Sequence, residues 1–129
     1  MFTIDKLSRT PIYEQLIAQF EYGLLSGEIA ADGKLPSVRE LSQTLCVNPN
    51  TLQRAFNEIE NRGLCYSVPG SGRYIAKDAL ERLKASVDRS LAEFVAVTEL
   101  LKARGVSEQL LKQTVETVYQ SNSGKETES

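Results

Sequence analysis

The chain has 129 residues, 41% hydrophobic and 25% charged, which suits one core of ordinary size with an extension. Histidine is absent, removing the commonest general base and metal ligand. The two cysteines, Cys46 and Cys65, form no C-x-x-C pair, so zinc ribbons, thiol redox motifs and disulfide scaffolds are not indicated. There is no paired carboxylate motif or nucleophile elbow either, so the expectation is a protein that is not an enzyme, with no cofactor and no metal. The N-terminus lacks a basic stretch followed by an apolar one, and no apolar run of eighteen residues exists, so a cytoplasmic protein with no membrane partner is expected.

Basic residues number 15 against 17 acidic ones, a balance that conceals uneven placement. Residues 1–33 hold Lys6 and Arg9 against Asp5, Glu14, Glu21, Glu28 and Asp32. Residues 34–77 reverse the sign, with Lys34, Arg39, Arg54, Arg62, Arg73 and Lys77 against Glu40, Glu58 and Glu60. A modest basic surface on the middle third follows.

In chain order, a first helix is predicted from Pro11 to about Ser26, capped by Thr10 and ended by Gly27, with Ile12, Leu16, Phe20 and Leu24 on one face. Gly23 inside it implies close packing against a neighbour. Ser37-Val38-Arg39-Glu40 is a capping box that opens a second helix to Leu45. Cys46-Val47 forms a turn, and Asn48 caps a third helix that has Pro49 at its first position. This third helix carries an apolar stripe of Leu52, Ala55, Phe56 and Ile59, with Asn50, Gln53, Arg54 and Asn57 as a polar stripe at the same spacing. Carboxamides make bidentate bonds to adenine, and arginine suits guanine or phosphate. Gly63 ends the helix.

Leu64–Val68 and Arg73–Ala76 have strand composition around the turn Pro69-Gly70-Ser71-Gly72, so a β-hairpin follows the helix-turn-helix. That order is the layout of a winged helix. Beyond Lys77, Leu80, Val87, Phe94 and Leu101 recur by sevens, with Leu83, Leu91 and Val97 at intermediate positions. A helix of about 27 residues, roughly 40 Å long, cannot bury that stripe against a domain attached at one end. Gly105 closes it, Ser107 opens a last helix bearing Leu110, Leu111, Val115 and Val118, and 122–129 reads as a disordered polar tail. Cys46 and Cys65 suit small apolar core positions, while Cys46 also lies where oxidation would perturb the recognition turn.

Pro11-Ile12-Tyr13-x-Gln15-Leu16, Leu35-Pro36-Ser37-Val38-Arg39-Glu40-Leu41, Val47-Asn48-Pro49-Asn50-Thr51 and Gly70-x-Gly72, in that order over residues 9–76, resemble the GntR family of bacterial transcription factors. The Asn-Pro-Asn-Thr turn and the short helical C-terminal region resemble its YtrA subfamily. The resemblance implies operator binding as a dimer, with Arg39 and the start of the recognition helix touching DNA and the wing entering the minor groove. By position these are Arg39, Asn48, Asn50, Thr51, Gln53, Gly70 and Gly72. Many family members have Ser-Arg-x-Thr where this chain has Asn48-Pro49-Asn50-Thr51, so an arginine that reads guanine in those relatives is missing. Base reading then shifts to Asn50, Gln53 and Arg54. The wing carries one basic residue, Arg73.

The expectation is therefore a mainly α protein with a small hairpin wing. Residues 1–76 form a winged helix-turn-helix, and 78–121 form a helical dimerisation region using Leu80, Leu83, Val87, Leu91, Phe94, Val97 and Leu101. The DNA-binding set is Ser37, Arg39, Asn48, Asn50, Thr51, Gln53, Arg54, Asn57, Gly70, Gly72 and Arg73, because phosphate contacts fix register while base-edge contacts specify sequence. The function is that of a transcriptional repressor on an inverted-repeat, double-stranded DNA operator, bound as a homodimer, with a small-molecule effector as a further partner. The alternative is a winged helix that docks on protein without specific DNA binding.

Overall fold

The computed structural model describes residues 2–31 and 33–128, except for the side chains of 122–128. Its elements are α1 (Ile12–Ser26), α2 (Val38–Leu45), α3 (Pro49–Asn61), β1 (Cys65–Val68), β2 (Gly72–Ile75), α4 (Ala79–Ala103) and α5 (Glu108–Glu128). The chain divides into two compact units, residues 1–86 and 87–129.

In the first unit, α3 is central, packing on α1, α2 and β1. Its Leu52, Ala55, Phe56 and Ile59 are all buried against Leu16, Phe20, Leu24 and Leu41, and among the described residues no polar or charged one shares this core. α1 begins one residue later than the sequence suggests: Pro11 is its N-cap with extended ψ of 146° and no side-chain cap. Thr10 is thereby displaced from the capping position, and its carbonyl instead accepts from Gln15 Nε2 at 2.8 Å. Gln15 and Gln19 also hold the N-terminal arm through Asp5 and Thr3, leaving Phe2 buried. Gly23 has the close neighbour its position implies, since a Cβ there would lie 2.6 Å from Ile29 Cδ1.

The caps of α2 and α3 follow local chemistry. Ser37 Oγ accepts from Glu40 N at 3.0 Å, and Asn48 Oδ1 accepts from Asn50 N at 2.8 Å. α3 ends in a Schellman motif: Gly63 N donates to Glu60 O, and Leu64 N to Ile59 O. Cys65 fills the core, but Cys46 is exposed, occupying the left-handed cap of α2 with φ of 54°. Capping carries the Cys46 side chain out of the packed face.

β1 and β2 pair antiparallel from Cys65–Ile75 to Val68–Gly72. A third rung joins them, with Leu35 N donating to Arg73 O at 2.9 Å and Ile75 N to Gly33 O at 2.8 Å. The first unit runs beyond the expected boundary at 76, because Ala79 and Leu83, in the opening turns of α4, enter the core. Leu83 therefore leaves the exposed stripe assigned to it by periodicity, and Leu80 is half-buried.

In the second unit, α4 ends with a second Schellman motif at Gly105, and Ser107 Oγ caps α5 by accepting from Leu110 N. The α5 backbone stays helical past Ser121 to Glu128, where the sequence places a tail. No proline interrupts that polar stretch, so its backbone hydrogen bonds can continue. Ser129 lies outside the described residues. Val87, Leu91, Phe94 and Val97 are exposed by 40–57%, while Leu101 is half-buried.

Candidate nucleic-acid interface

Three elements of the first unit converge on one surface. α3 turns its apolar stripe inward, so Asn50, Gln53, Arg54 and Asn57 are all exposed, while Thr51 is half-buried. The N-terminus of α2 contributes Ser37 and Arg39, both exposed. Arg39 has no hydrogen bond or ion pair among the described residues, leaving its guanidinium available. A cleft of about 530 Å³ between the α2 N-terminus, α3 and the wing is lined by Ser37, Gln53, Gly72 and Arg73, among others.

Ser37 Oγ and Asn48 Oδ1 each accept one capping bond, so a ligand can still use the Ser37 hydroxyl hydrogen, the Asn48 Nδ2 group and one remaining lone pair on each oxygen. The wing tip is a tight turn: Ser71 N donates to Val68 O at 3.0 Å with Gly70 at φ 78°. Proline followed by a left-handed glycine is the chemistry of a type II turn. Gly72 has φ of 138°, a backbone conformation that favours glycine, while the only close neighbour a Cβ would meet is the flexible end of the Lys34 side chain.

Two arginines are less free than their sequence positions suggest. Arg54 stacks on α1, its Cζ 3.7 Å from the Tyr13 ring centroid. Arg73 has a side chain only 17% exposed. It donates to Asn57 Oδ1 at 2.8 Å and pairs with Glu60 Oε1 at 3.3 Å. Gln53 Nε2 donates to the same Asn57 oxygen at 2.9 Å. Arg62, by contrast, ties α3 to α1 through Glu58 and Glu21, both at 2.9 Å. The Glu58 bond raises its pKa most; burial opposes this and Glu21 adds to it.

Sequence patterns did not single out Lys34 and Tyr13 as contributors. Lys34 forms the isolated bridge to Tyr74 and lines the cleft, but a one-residue rung has no periodicity to detect. Tyr13 belongs to the first quoted motif yet acts across to α3, a relation spacing does not encode.

The model of bacterial regulatory proteins of the gntR family matches residues 12–75. The chain is 44% identical over 79 residues to the HTH-type transcriptional repressor YtrA of Bacillus subtilis, covering 61% of each chain. The match thus spans less than two thirds of that relative. A GntR family transcriptional regulator from Listeria monocytogenes is 33% identical, with 88% of this chain and 98% of that one covered and a TM-score of 0.64. The structure of AraR(DBD) in complex with operator ORX1 is 31% identical, covering 58% and 93% of the two chains with a TM-score of 0.51. These relatives are regulators rather than enzymes, and no helix among the described residues is long and apolar enough to cross a membrane. From its matched winged helix and its 33% identity to the Listeria monocytogenes regulator, 98% of which it covers, the chain belongs to the GntR family of bacterial transcriptional regulators.

Proposed function

We propose that the protein is a repressor that binds an inverted-repeat operator as a homodimer. The observation that carries this is the exposed polar face of α3 beside an exposed Arg39 and the wing, on the fold that AraR(DBD) uses in a complex with its operator. α3 enters the major groove, with Gln53 and Asn50 reading base edges and Arg39, Ser37 and the helix starts contacting phosphate. The wing turn at Gly70 and Gly72 lies against the neighbouring groove.

Dimerisation is supported by Val87, Leu91, Phe94 and Val97, an exposed apolar stripe at heptad spacing in the second unit. A second copy presents the same stripe, and self-association covers both. Few cations face the groove, so two half-sites acting together supply affinity that one cannot. The half-sites then lie about one helical turn, or a multiple of it, apart. A small-molecule effector would act by shifting this dimer.

Selection of bound sequences from a random duplex pool at about 100 mM salt tests the proposal. Enrichment of an inverted repeat is expected. Failure to enrich any sequence would overturn it and favour a protein-docking role for the α3 face.

A further inference from the structure

Asn57 Oδ1 accepts two hydrogen bonds, from Gln53 Nε2 at 2.9 Å and from an Arg73 guanidinium nitrogen at 2.8 Å. A guanidinium can only donate, so Arg73 determines which end of the Asn57 amide points toward it. That orientation in turn obliges Gln53 to approach through its own Nε2. Arg73 is itself held: its Nε pairs with Glu60 at 3.3 Å, and its guanidinium lies over Phe56, 5.5 Å from the ring centroid. The relay therefore starts from a half-buried, well-anchored cation on β2 and ends at the exposed face of α3.

Its chemical consequence is a division of labour between two carboxamides. Gln53 spends one Nε2 hydrogen on Asn57 and keeps Oε1 and the second hydrogen, an acceptor and a donor on one edge. That pair matches adenine N6 and N7 in the major groove. Asn57 has already spent its oxygen twice, so it has only Nδ2 to offer and cannot make the same bidentate contact.

We propose that Arg73 is a positioning residue for base readout. Acting through Asn57, it fixes the Gln53 amide in the orientation that reads adenine, and Asn57 is the relay rather than a second adenine reader. This rests on the DNA-binding function proposed above, and it removes Arg73 from the set of phosphate contacts.

The test compares full-length protein with the variants Gln53→Ala, Arg73→Ala, Asn57→Leu and Asn57→Asp in random-duplex selection, followed by affinity measurements over a range of salt. With the unaltered protein, one adenine in each half-site is expected to depend on Gln53. Arg73→Ala should lower discrimination at that same base pair by about tenfold, with no further loss when combined with Gln53→Ala. Its salt slope should stay at the parental value. Asn57→Leu removes the shared acceptor and should reproduce the loss. Asn57→Asp keeps an acceptor oxygen for both donors and should retain the discrimination, although its charge weakens binding to all sequences alike.

Uniform weakening by Arg73→Ala, with the salt slope reduced by about one and base preference unchanged, would make Arg73 a phosphate contact and overturn the relay. If Arg73→Ala perturbs the hairpin, the contrast between Asn57→Leu and Asn57→Asp decides alone, since equal discrimination in both also overturns it. Failure of the unaltered protein to enrich any sequence would overturn DNA binding itself, and the relay with it.

Discussion

The Arg54 guanidinium lies face-on to the Tyr13 ring, 3.7 Å from its centroid, joining α3 to α1 across the outer side of the helix-turn-helix. Stacking of this kind on an exposed surface contributes about 0.5 to 1 kcal/mol. Tyr13→Leu and Arg54→Ala should each destabilise the protein by about that amount, with a double mutant little worse than either. Urea denaturation of the four proteins measures the coupling, and Tyr13→Phe should preserve it. Additive losses would show that the two side chains merely lie near each other.

Arg39 is an exposed cation at the start of α2 with no hydrogen bond or ion pair to give up among the described residues. Arg39→Ala is expected to weaken DNA binding on matched and unmatched sequences alike and to lower the salt slope by about one per protomer. Affinity measured at several salt concentrations separates this from a base contact, for which the loss would be confined to particular base pairs.

Phe94 is 55% exposed in the second unit and has no part in the core of the first. Introducing a charge there, as Phe94→Glu, should convert a dimer into monomers while the winged helix keeps its fold. Sedimentation velocity reads the first expectation and circular dichroism the second. A dimer that persists would move the interface to another face.

Gly23→Ala sets two effects against each other. Alanine improves helix propensity by roughly 1 kcal/mol, but its Cβ would lie 2.6 Å from Ile29 Cδ1 and 2.8 Å from Cγ1, and overpacking a buried site costs about 1 to 3 kcal/mol. Net destabilisation of about 1 kcal/mol is expected. In an Ile29→Ala background, where both clashing atoms are gone, the same substitution should become neutral or stabilising in thermal or urea unfolding.

The two thiols should separate cleanly. Burial, with some help from Glu60, pushes Cys65 up to about 11, whereas Cys46 is exposed at the α2 cap. An alkylating reagent at pH 8 should modify one thiol per native chain, at Cys46, and the second only after unfolding. Cys46→Ser should then leave no reactive thiol in the native protein. Rapid native labelling of Cys65 would contradict its burial.

The winged helix-turn-helix was legible because its signals are local. Ser37 and Asn48 cap within two or three residues, Gly63 stops α3, the Leu52–Ile59 stripe marks the buried face, and Pro69-Gly70 turns the hairpin. Each follows from backbone geometry over a few positions, and each stands where the pattern places it. The family resemblance rests on the same local motifs.

What the tertiary structure decided concerns pairs brought together from distant parts of the chain. Periodicity placed Leu83 in one stripe with Phe94, yet Leu83 is buried in the first unit and Phe94 is exposed in the second. A repeat specifies which residues share a helix face, and only packing decides which of them find cover within the same chain. Charge placement likewise put Arg54 and Arg73 on a basic surface, but Tyr13 and Asn57 hold them. A side chain's charge is a property of its residue type, whereas its availability depends on what the fold brings within a few ångströms of it.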